Sequence, residues 1–260
     1  MKVLLHGCNG KMGQAMTRVL GDTGDMQVVC GVDAVPDRVR NSYPVYASLK
    51  EVKESPDILI DFSHHSCLGG LLEFGMGRKV PLVICTTGFT AEEKQRMAEA
   101  SKMVPVLCSP NMSLGVNLVL SLVKQAAVVL KDGFDIEIVE KHHNQKVDAP
   151  SGTALMIADT INSALGSGME YEYERHSKTG KRPKNEIGIH SVRGGAIVGE
   201  HSVIFAGQGE VIEINHSALS RDVFAYGAVR AAKFLVTRGP GLYSMKDVIE
   251  GQNSERSDCS

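Results

Sequence analysis

Residues 2–13, KVLLHGCNGKMG, join a short apolar run to three glycines, Gly7, Gly10 and Gly13, and the architecture of the chain follows from that junction. The run reads as a buried strand, and the glycines read as its turn into a helix that starts near Lys11. Missing side chains at such a turn let a pyrophosphate approach the free N–H groups of a helix N-terminus. The spacing is G-x-x-G-x-x-G, not the commoner G-x-G-x-x-G, and glycine-rich strand–helix turns also exist without ligands. Asp33 tips the balance. It ends the second strand about 20 residues past the turn, where a carboxylate accepts both hydroxyls of an adenosine ribose, although it also suits a plain turn before Pro36. Thr86-Thr87-Gly88 follows a later strand at the carboxyl edge of the same sheet, where ligands of open α/β folds lie.

Outward from this turn, strand patterns at 26–33, 57–62, 81–86 and 104–108 alternate with helical patterns at 11–20, 67–77 and 91–102. Strands this continuously apolar are buried on both faces, so the rhythm predicts a Rossmann-like, doubly wound parallel sheet over residues 1–112. Thr90 followed by Glu93 predicts a capping box at the start of the third helix. After Asn111 the rhythm changes. A long apolar helix at 113–130, a strand at 135–141, a helix at 151–165 and strands at 171–176, 187–193, 196–205 and 210–216 predict an α+β domain with an open mixed sheet over 113–220. A helix at 223–236 and a polar, frayed tail at 252–260 belong to a segment, 221–260, expected to pack back on the first domain. The cationic stretch 178–184 reads as a solvated loop.

The net charge of -2 excludes the broad basic field that nucleic acid or an anionic membrane selects. No apolar run approaches the ~20 residues of a membrane span, and no signal-like hydrophobic region precedes the first strand, so a cytoplasmic protein acting on a small molecule is expected. The six cysteines are scattered without a C-x-x-C pair and mostly lie in apolar segments, which fits reduced thiols packed as small hydrophobes.

The densest chemistry is the segment 140–154, EKHHNQKVDAPSGTA. Pro150 disfavours helix just before it, so 142–148 reads as a loop leaving a strand, while Ser151, Gly152 and Thr153 open a helix whose N–H groups suit a carboxylate. His142 and His143 point to opposite faces of an extended chain and would not chelate one metal, so no metal is expected. A solvated polar loop explains any one of these residues but not their clustering.

On GCNGKMG (7–13), TTGF (86–89), SPNMSLGVN (109–117), the 140–154 segment and VRGGAIVGEH (192–201), the chain resembles the 4-hydroxy-tetrahydrodipicolinate reductase family, also called dihydrodipicolinate reductase, over nearly its full length. The resemblance implies reduction of 4-hydroxy-tetrahydrodipicolinate to tetrahydrodipicolinate by NADH or NADPH with loss of water, in diaminopimelate and lysine biosynthesis, by a homotetramer built through the second sheet. It implies cofactor contacts from Gly7, Cys8, Asn9, Gly10, Lys11, Met12, Asp33, Cys85, Thr86, Thr87, Ser109, Pro110, Asn111 and Met112. His142 and Lys146 become the acid–base pair, and His143, Gly152 and Thr153 hold the substrate carboxylates. Two positions depart from the family pattern: Cys85 stands where glycine is usual, and Ala34 stands where some members carry an arginine suited to the 2′-phosphate of NADPH. With Asp33 in place, NADH is expected to serve at least as well as NADPH. Two other readings use the same first half, a redox-sensing dinucleotide module and a related oxidoreductase for a sugar or semialdehyde, but neither has much use for the 142–153 cluster.

Overall fold

The computed structural model describes residues 1–176 and 178–257, the last six as backbone. Two compact units emerge, Met1–Leu114 with Arg221–Ser260, and Gly115–Ser220.

In the first unit β1 (Lys2–His6), α1 (Lys11–Thr23), β2 (Gln27–Val32), β3 (Val45–Tyr46), β4 (Ile58–Asp61), α2 (Leu68–Arg78), β5 (Leu82–Ile84), α3 (Ala91–Ala100) and β6 (Pro105–Cys108) follow one another along the chain. All the strands run parallel, in a seven-stranded sheet ordered β12-β6-β5-β4-β1-β2-β3, with β12 at Gly241–Tyr243. Strand alternation divides the core between the two faces. Val3, Leu5, Ile58, Ile60 and Val83 pack with α1 residues such as Met16 and Leu20, and with Ala228 and Leu235 of α6 (Asp222–Leu235). Leu4, Leu59, Leu82 and Ile84 pack with Leu71 of α2 and Met97 of α3 on the other face. Burial on both sides is why these strands read as unbroken apolar runs. The Thr90 capping box is formed as expected, with Glu93 N–H donating to Thr90 Oγ1 and Thr90 N–H to Glu93 Oε2.

The long helix α4 (Leu114–Leu130) leads into the second unit. There β7 (Asp135–His142), α5 (Gly152–Ala164), β8 (Glu170–Glu172), β9 (Glu186–Arg193), β10 (Gly199–Ala206) and β11 (Val211–Ala218) give a mixed five-stranded sheet ordered β11-β10-β7-β9-β8. Strands β7, β8 and β9 are parallel, and β10 is antiparallel to both β7 and β11. Val123 and Ala127 of α4 and Ile157 and Ile161 of α5 cover Ile136, Ile138, Val203 and Phe205 on one face of the sheet.

Several local expectations differ from the structure. The strand expected over 171–176 is only Glu170–Glu172, and the one expected from 196 starts at Gly199, because the glycine pair 194–195 makes a turn, Gly195 at φ +50°. Strands β3 and β12 and a last helix, α7 (Met245–Ser257), carry no signal in the sequence reading. A strand of two or three residues is too short to show a period and exists only through its pairing partner. The frayed tail expected at 252–260 is helical backbone as far as Ser257, while 258–260 and Cys259 lie outside the described residues. The 178–184 stretch is not merely solvated, since Arg182 donates to Glu137, to Asp135 and to the carbonyls of Ile136 and Glu186. Among the described residues the five cysteines are free thiols, no cluster of side chains is arranged to hold a metal, and no helix is long and apolar enough to cross a membrane.

Candidate active site

The first unit gathers one set of the candidate residues at the carboxyl ends of β1, β2, β4, β5 and β6. Gly7 leaves β1 at φ +74°, and a Cβ there would meet the Phe62 carbonyl oxygen at 2.6 Å. A Cβ on Gly13 would sit 2.6 Å from the Cα and carbonyl carbon of Cys8, so the first turn of α1 lies against the glycine loop itself. Gly10 is the N-cap of α1 and offers no side-chain cap. The opening N–H groups of the helix are therefore left for an anion.

Asp33 braces this loop. Its Oδ2 accepts from Asn9 N–H at 3.0 Å and its Oδ1 from Val35 N–H at 3.0 Å. The Asn9 amide donates to the carbonyls of Val35 and Pro36 and accepts from Asn41. Cys8 is fully buried, with its thiol pushed up to about 12 by burial and, next, by Asp33. Both side chains are buried, and the backbone is tied down as well, with Cys8 N–H donating to the Val32 carbonyl and the Cys8 carbonyl accepting from the Gln14 amide. Lys11 is exposed and Met12 half-buried.

Below Thr86 lies a polar knot that sequence reading missed. Asp61, buried at the end of β4, accepts from Thr86 Oγ1 at 2.6 Å and Ser63 Oγ at 2.6 Å and lies 2.8 Å from His6 Nδ1. A cavity of about 530 Å³ opens beside it, lined among others by His6, Val32, Ser66, Gly70 and Phe74. Thr87 is exposed, and the Cys85 thiol is pushed well up by burial first and by Asp61 and Cys108 next. Ser109, Asn111 and Met112 are buried and Pro110 exposed, with Ser109 Oγ donating to the Asn111 carbonyl at 3.0 Å.

The second unit gathers the other set at the end of β7. Alternation along this strand turns Ile136, Ile138, Glu140 and His142 inward, so the last two inward positions change from aliphatic to ionisable. His143, one residue beyond the end of β7, is half-buried. His142 Nδ1 lies 2.6 Å from Glu140 Oε2. Arg193, the β9 neighbour of His142, donates to both Glu140 oxygens at 2.7 and 2.8 Å, and Ser151 N–H adds a bond to Oε1 at 3.1 Å. Burial works against ionisation of Glu140, but hydrogen bonds from Arg193, Ser191 and His142 outweigh it and hold the carboxyl down at about 2.

Ser151 caps α5 by accepting from Ala154 N–H, and its hydroxyl lies 2.9 Å from His201 Nε2. The His201 and His142 rings meet edge to face at 5.3 Å. Burial, then His142, pushes His201 down to about 4, so it stands as a neutral imidazole. The exposed Gly152 and half-buried Thr153 begin α5, and Lys146 sits on the connecting loop with Nζ donating to Asp148 at 2.8 Å. An imidazole, an ammonium and a helix N-terminus thus occupy one short segment. The parts that hold this segment, Glu140, Arg193, Gly199 and His201, lie in motifs visible in the sequence, but no spacing rule pairs β7 with β9 and β10.

Two family descriptions match the chain: "Dihydrodipicolinate reductase, N-terminus" over residues 1–112 and "Dihydrodipicolinate reductase, C-terminus" over residues 115–249. The chain is 56% identical over 250 residues to the 4-hydroxy-tetrahydrodipicolinate reductase of Caldanaerobacter subterraneus subsp. tengcongensis, across 96% of this chain and 98% of that one. It is 45% identical over 252 residues to the Clostridium novyi enzyme of the same name, across 97% and 99%. Among solved structures it is similar to dipicolinate-bound dihydrodipicolinate reductase from Paenisporosarcina sp. TG-14, with a TM-score of 0.78 at 26% identity over 94% of this chain and 97% of that one. A probable dehydrogenase from Thermotoga maritima shares the fold alone, with a TM-score of 0.60 at 13% identity over 95% and 92%.

Proposed function

The chain belongs to the dihydrodipicolinate reductase family, and from that premise we infer that it reduces 4-hydroxy-tetrahydrodipicolinate to tetrahydrodipicolinate with a nicotinamide cofactor, in diaminopimelate and lysine biosynthesis. The observation that carries the chemistry is the His142–Glu140 pair beside Lys146 and the α5 N-terminus. The decisive measurement is loss of NADH absorbance with the product of dihydrodipicolinate synthase as substrate, and a folded protein without turnover would point to the redox-sensing reading.

The first unit fits a dinucleotide by its own geometry, since side chains are missing where Cβ atoms would block the loop and the α1 N-terminus is uncapped. Gly7 to Met12 would hold the pyrophosphate, Asp33 the adenosine ribose, and Cys85 to Thr87 with Ser109 to Met112 the nicotinamide half. When bound, the reduced nicotinamide supplies the hydride.

The chain's own residues handle charge and protons. The substrate is a cyclic dicarboxylate that loses its hydroxyl as water and then presents a ring double bond conjugated with an imine. His143, Gly152 and Thr153 hold its carboxylates at the positive end of α5. Reduction leaves negative charge on the conjugated system; the Lys146 ammonium offsets it, and the carbon next to the reduced one takes a proton from the Lys146–His142 pair. With Nδ1 engaged by Glu140, Nε2 is the His142 nitrogen left to exchange that proton. The sheet face opposite α4 and α5 is the surface through which a homotetramer would form, in a protein acting in the cytoplasm.

NADH is expected to serve at least as well as NADPH. The Asp33 carboxylate repels a 2′-phosphate, and Ala34 brings no guanidinium in compensation, while Lys11 and Arg38 are exposed and only weakly placed to offset it. The ratio of kcat/KM for the two cofactors measures this. A strong preference for NADPH would show either that Asp33 does not face the ribose or that a distant cation outweighs it.

A further inference from the structure

We propose that Glu140, clamped by Arg193, is the positioning residue of the acid–base site: it holds His142 with its proton on Nδ1, so that Nε2 alone accepts and releases protons during reduction. This rests on the reading of His142 as an acid–base group and concerns how that group is set.

A fully buried carboxylate is costly even when it is paired, and an aliphatic residue would continue the inward row of Ile136 and Ile138 at less cost. The chain nonetheless places Glu140 there and surrounds it with donors from Arg193, Ser151, Ser191 and His142. Arg193 and Ser151 supply three bonds, at 2.7, 2.8 and 3.1 Å, two of them to Oε1 and one to Oε2. Oε2 also faces His142 Nδ1 at 2.6 Å. A carboxylate held down at about 2 has no proton to donate near neutral pH, so the hydrogen in that contact belongs to Nδ1. Orientation of one ring nitrogen by a carboxylate fixes the role of the other.

The surroundings agree. A Cβ on Gly199 would come within 3.0 Å of His142 Nε2, so glycine keeps that nitrogen clear. His201, edge-on to His142, is neutral and spent on the Ser151 hydroxyl, and so does not compete as a cation. The segment 192–201, to which the proposed function assigns no role, thus supplies the Arg193 clamp and the Gly199 clearance, and His201 completes its end. In a turnover the proton leaves or arrives at Nε2 while Nδ1 keeps its own, and solvent restores the balance.

Glu140→Gln separates positioning from simple structural support. An amide at this site does best with its oxygen at the Oε1 position, where Arg193 and Ser151 both donate, which turns its NH2 toward His142 Nδ1. That nitrogen must then accept, and the neutral ring changes to the Nε2–H tautomer. The expected result is a kcat lower by on the order of 10²–10³-fold, with the substrate KM within about threefold of the parent. In ¹⁵N-histidine spectra of the parent enzyme at a pH where His142 is neutral, its resonances, assigned by their loss in His142→Asn, should report Nδ1–H, and in Glu140→Gln they should report Nε2–H. A parent His142 protonated on Nε2 overturns the proposal even if the variant does not fold. So does a folded Glu140→Gln with the parental kcat. If His142→Ala itself keeps the parental kcat, the acid–base reading fails instead, whichever tautomer the spectra show.

Discussion

Replacing His142 or Lys146 by alanine is expected to lower kcat by on the order of 10²–10⁴-fold, because in the proposed reaction both side chains act as charge and protons move in the transition state. Their surroundings separate the two cases. His142 is buried against Glu140, and its loss leaves that carboxylate its bonds from Arg193 and Ser151, so the fold has reason to persist. Lys146, itself largely covered, loses a pair with Asp148, whose side chain is more than half exposed, and a pair open to water on one side contributes little to stability. A KM increase accompanies Lys146→Ala if its ammonium also attracts the dicarboxylate. Thr153→Val and His143→Ala form the contrast. Groups that hold a carboxylate equally in ground and transition states change KM, here by about 1–3 kcal/mol, and leave kcat nearly alone. Steady-state constants and circular dichroism on the four variants check the pattern. Folded His142→Ala and Lys146→Ala proteins with near-parental kcat at saturating substrate would reduce the 140–154 segment to a binding loop.

Gly13→Ala is expected to abolish dinucleotide binding outright. The new methyl would lie 2.6 Å from backbone atoms of Cys8, and backbone fixed between a strand and a helix cannot yield as a flexible side chain would. Either α1 moves away from the glycine loop or the loop opens, and both separate the N–H groups from the position of a pyrophosphate. Strain at such a site costs several kcal/mol, on the order of 3–5, so a lower melting temperature should accompany the loss of binding. Gly7→Ala should be comparable, because it adds a left-handed φ of +74° to a 2.6 Å approach to the Phe62 oxygen. Gly10→Ala, at 3.3 Å from the Gly7 oxygen, should be milder. Gly21, in the same helix with nothing within 4 Å of its Cβ direction, is the control. Alanine there should stabilise by about 0.5–1 kcal/mol through helix propensity and leave binding unchanged. NADH fluorescence titrations with thermal melts on the four proteins decide the matter, and parental affinity in Gly13→Ala would remove the glycine loop from the cofactor site.

The composition of the glycine loop carries these expectations, yet the structure changes the meaning of its neighbours. Asn9 reads as a cofactor contact, but its side chain ties the loop to the turn after β2. Asp33 reads as a ribose ligand, and its oxygens already hold Asn9 and Val35 N–H groups, so the ligand role and the bracing role share one carboxylate. Asp61 and His6 escape sequence reading altogether. A lone acid and a lone histidine at strand ends have no pattern until parallel pairing of β1 with β4 brings them together.

What the sequence by itself determined about this protein is whatever rests on short range. The period of apolar residues names strands and helices, and their alternation names a parallel sheet followed by a mixed one. Glycines at a strand–helix junction mark a candidate anion site, and His142, Lys146 and the Ser151–Thr153 helix start stand together because they are neighbours in the chain. Only the tertiary structure decided which nitrogen of His142 meets Glu140 and what Arg193, Gly199 and His201 touch. Those answers depend on contacts between residues 50 and 53 positions apart, Ser151 with His201 and Glu140 with Arg193. Such contacts arise from the register of three strands around β7, and register is set by burial of a whole sheet face rather than by any local signal.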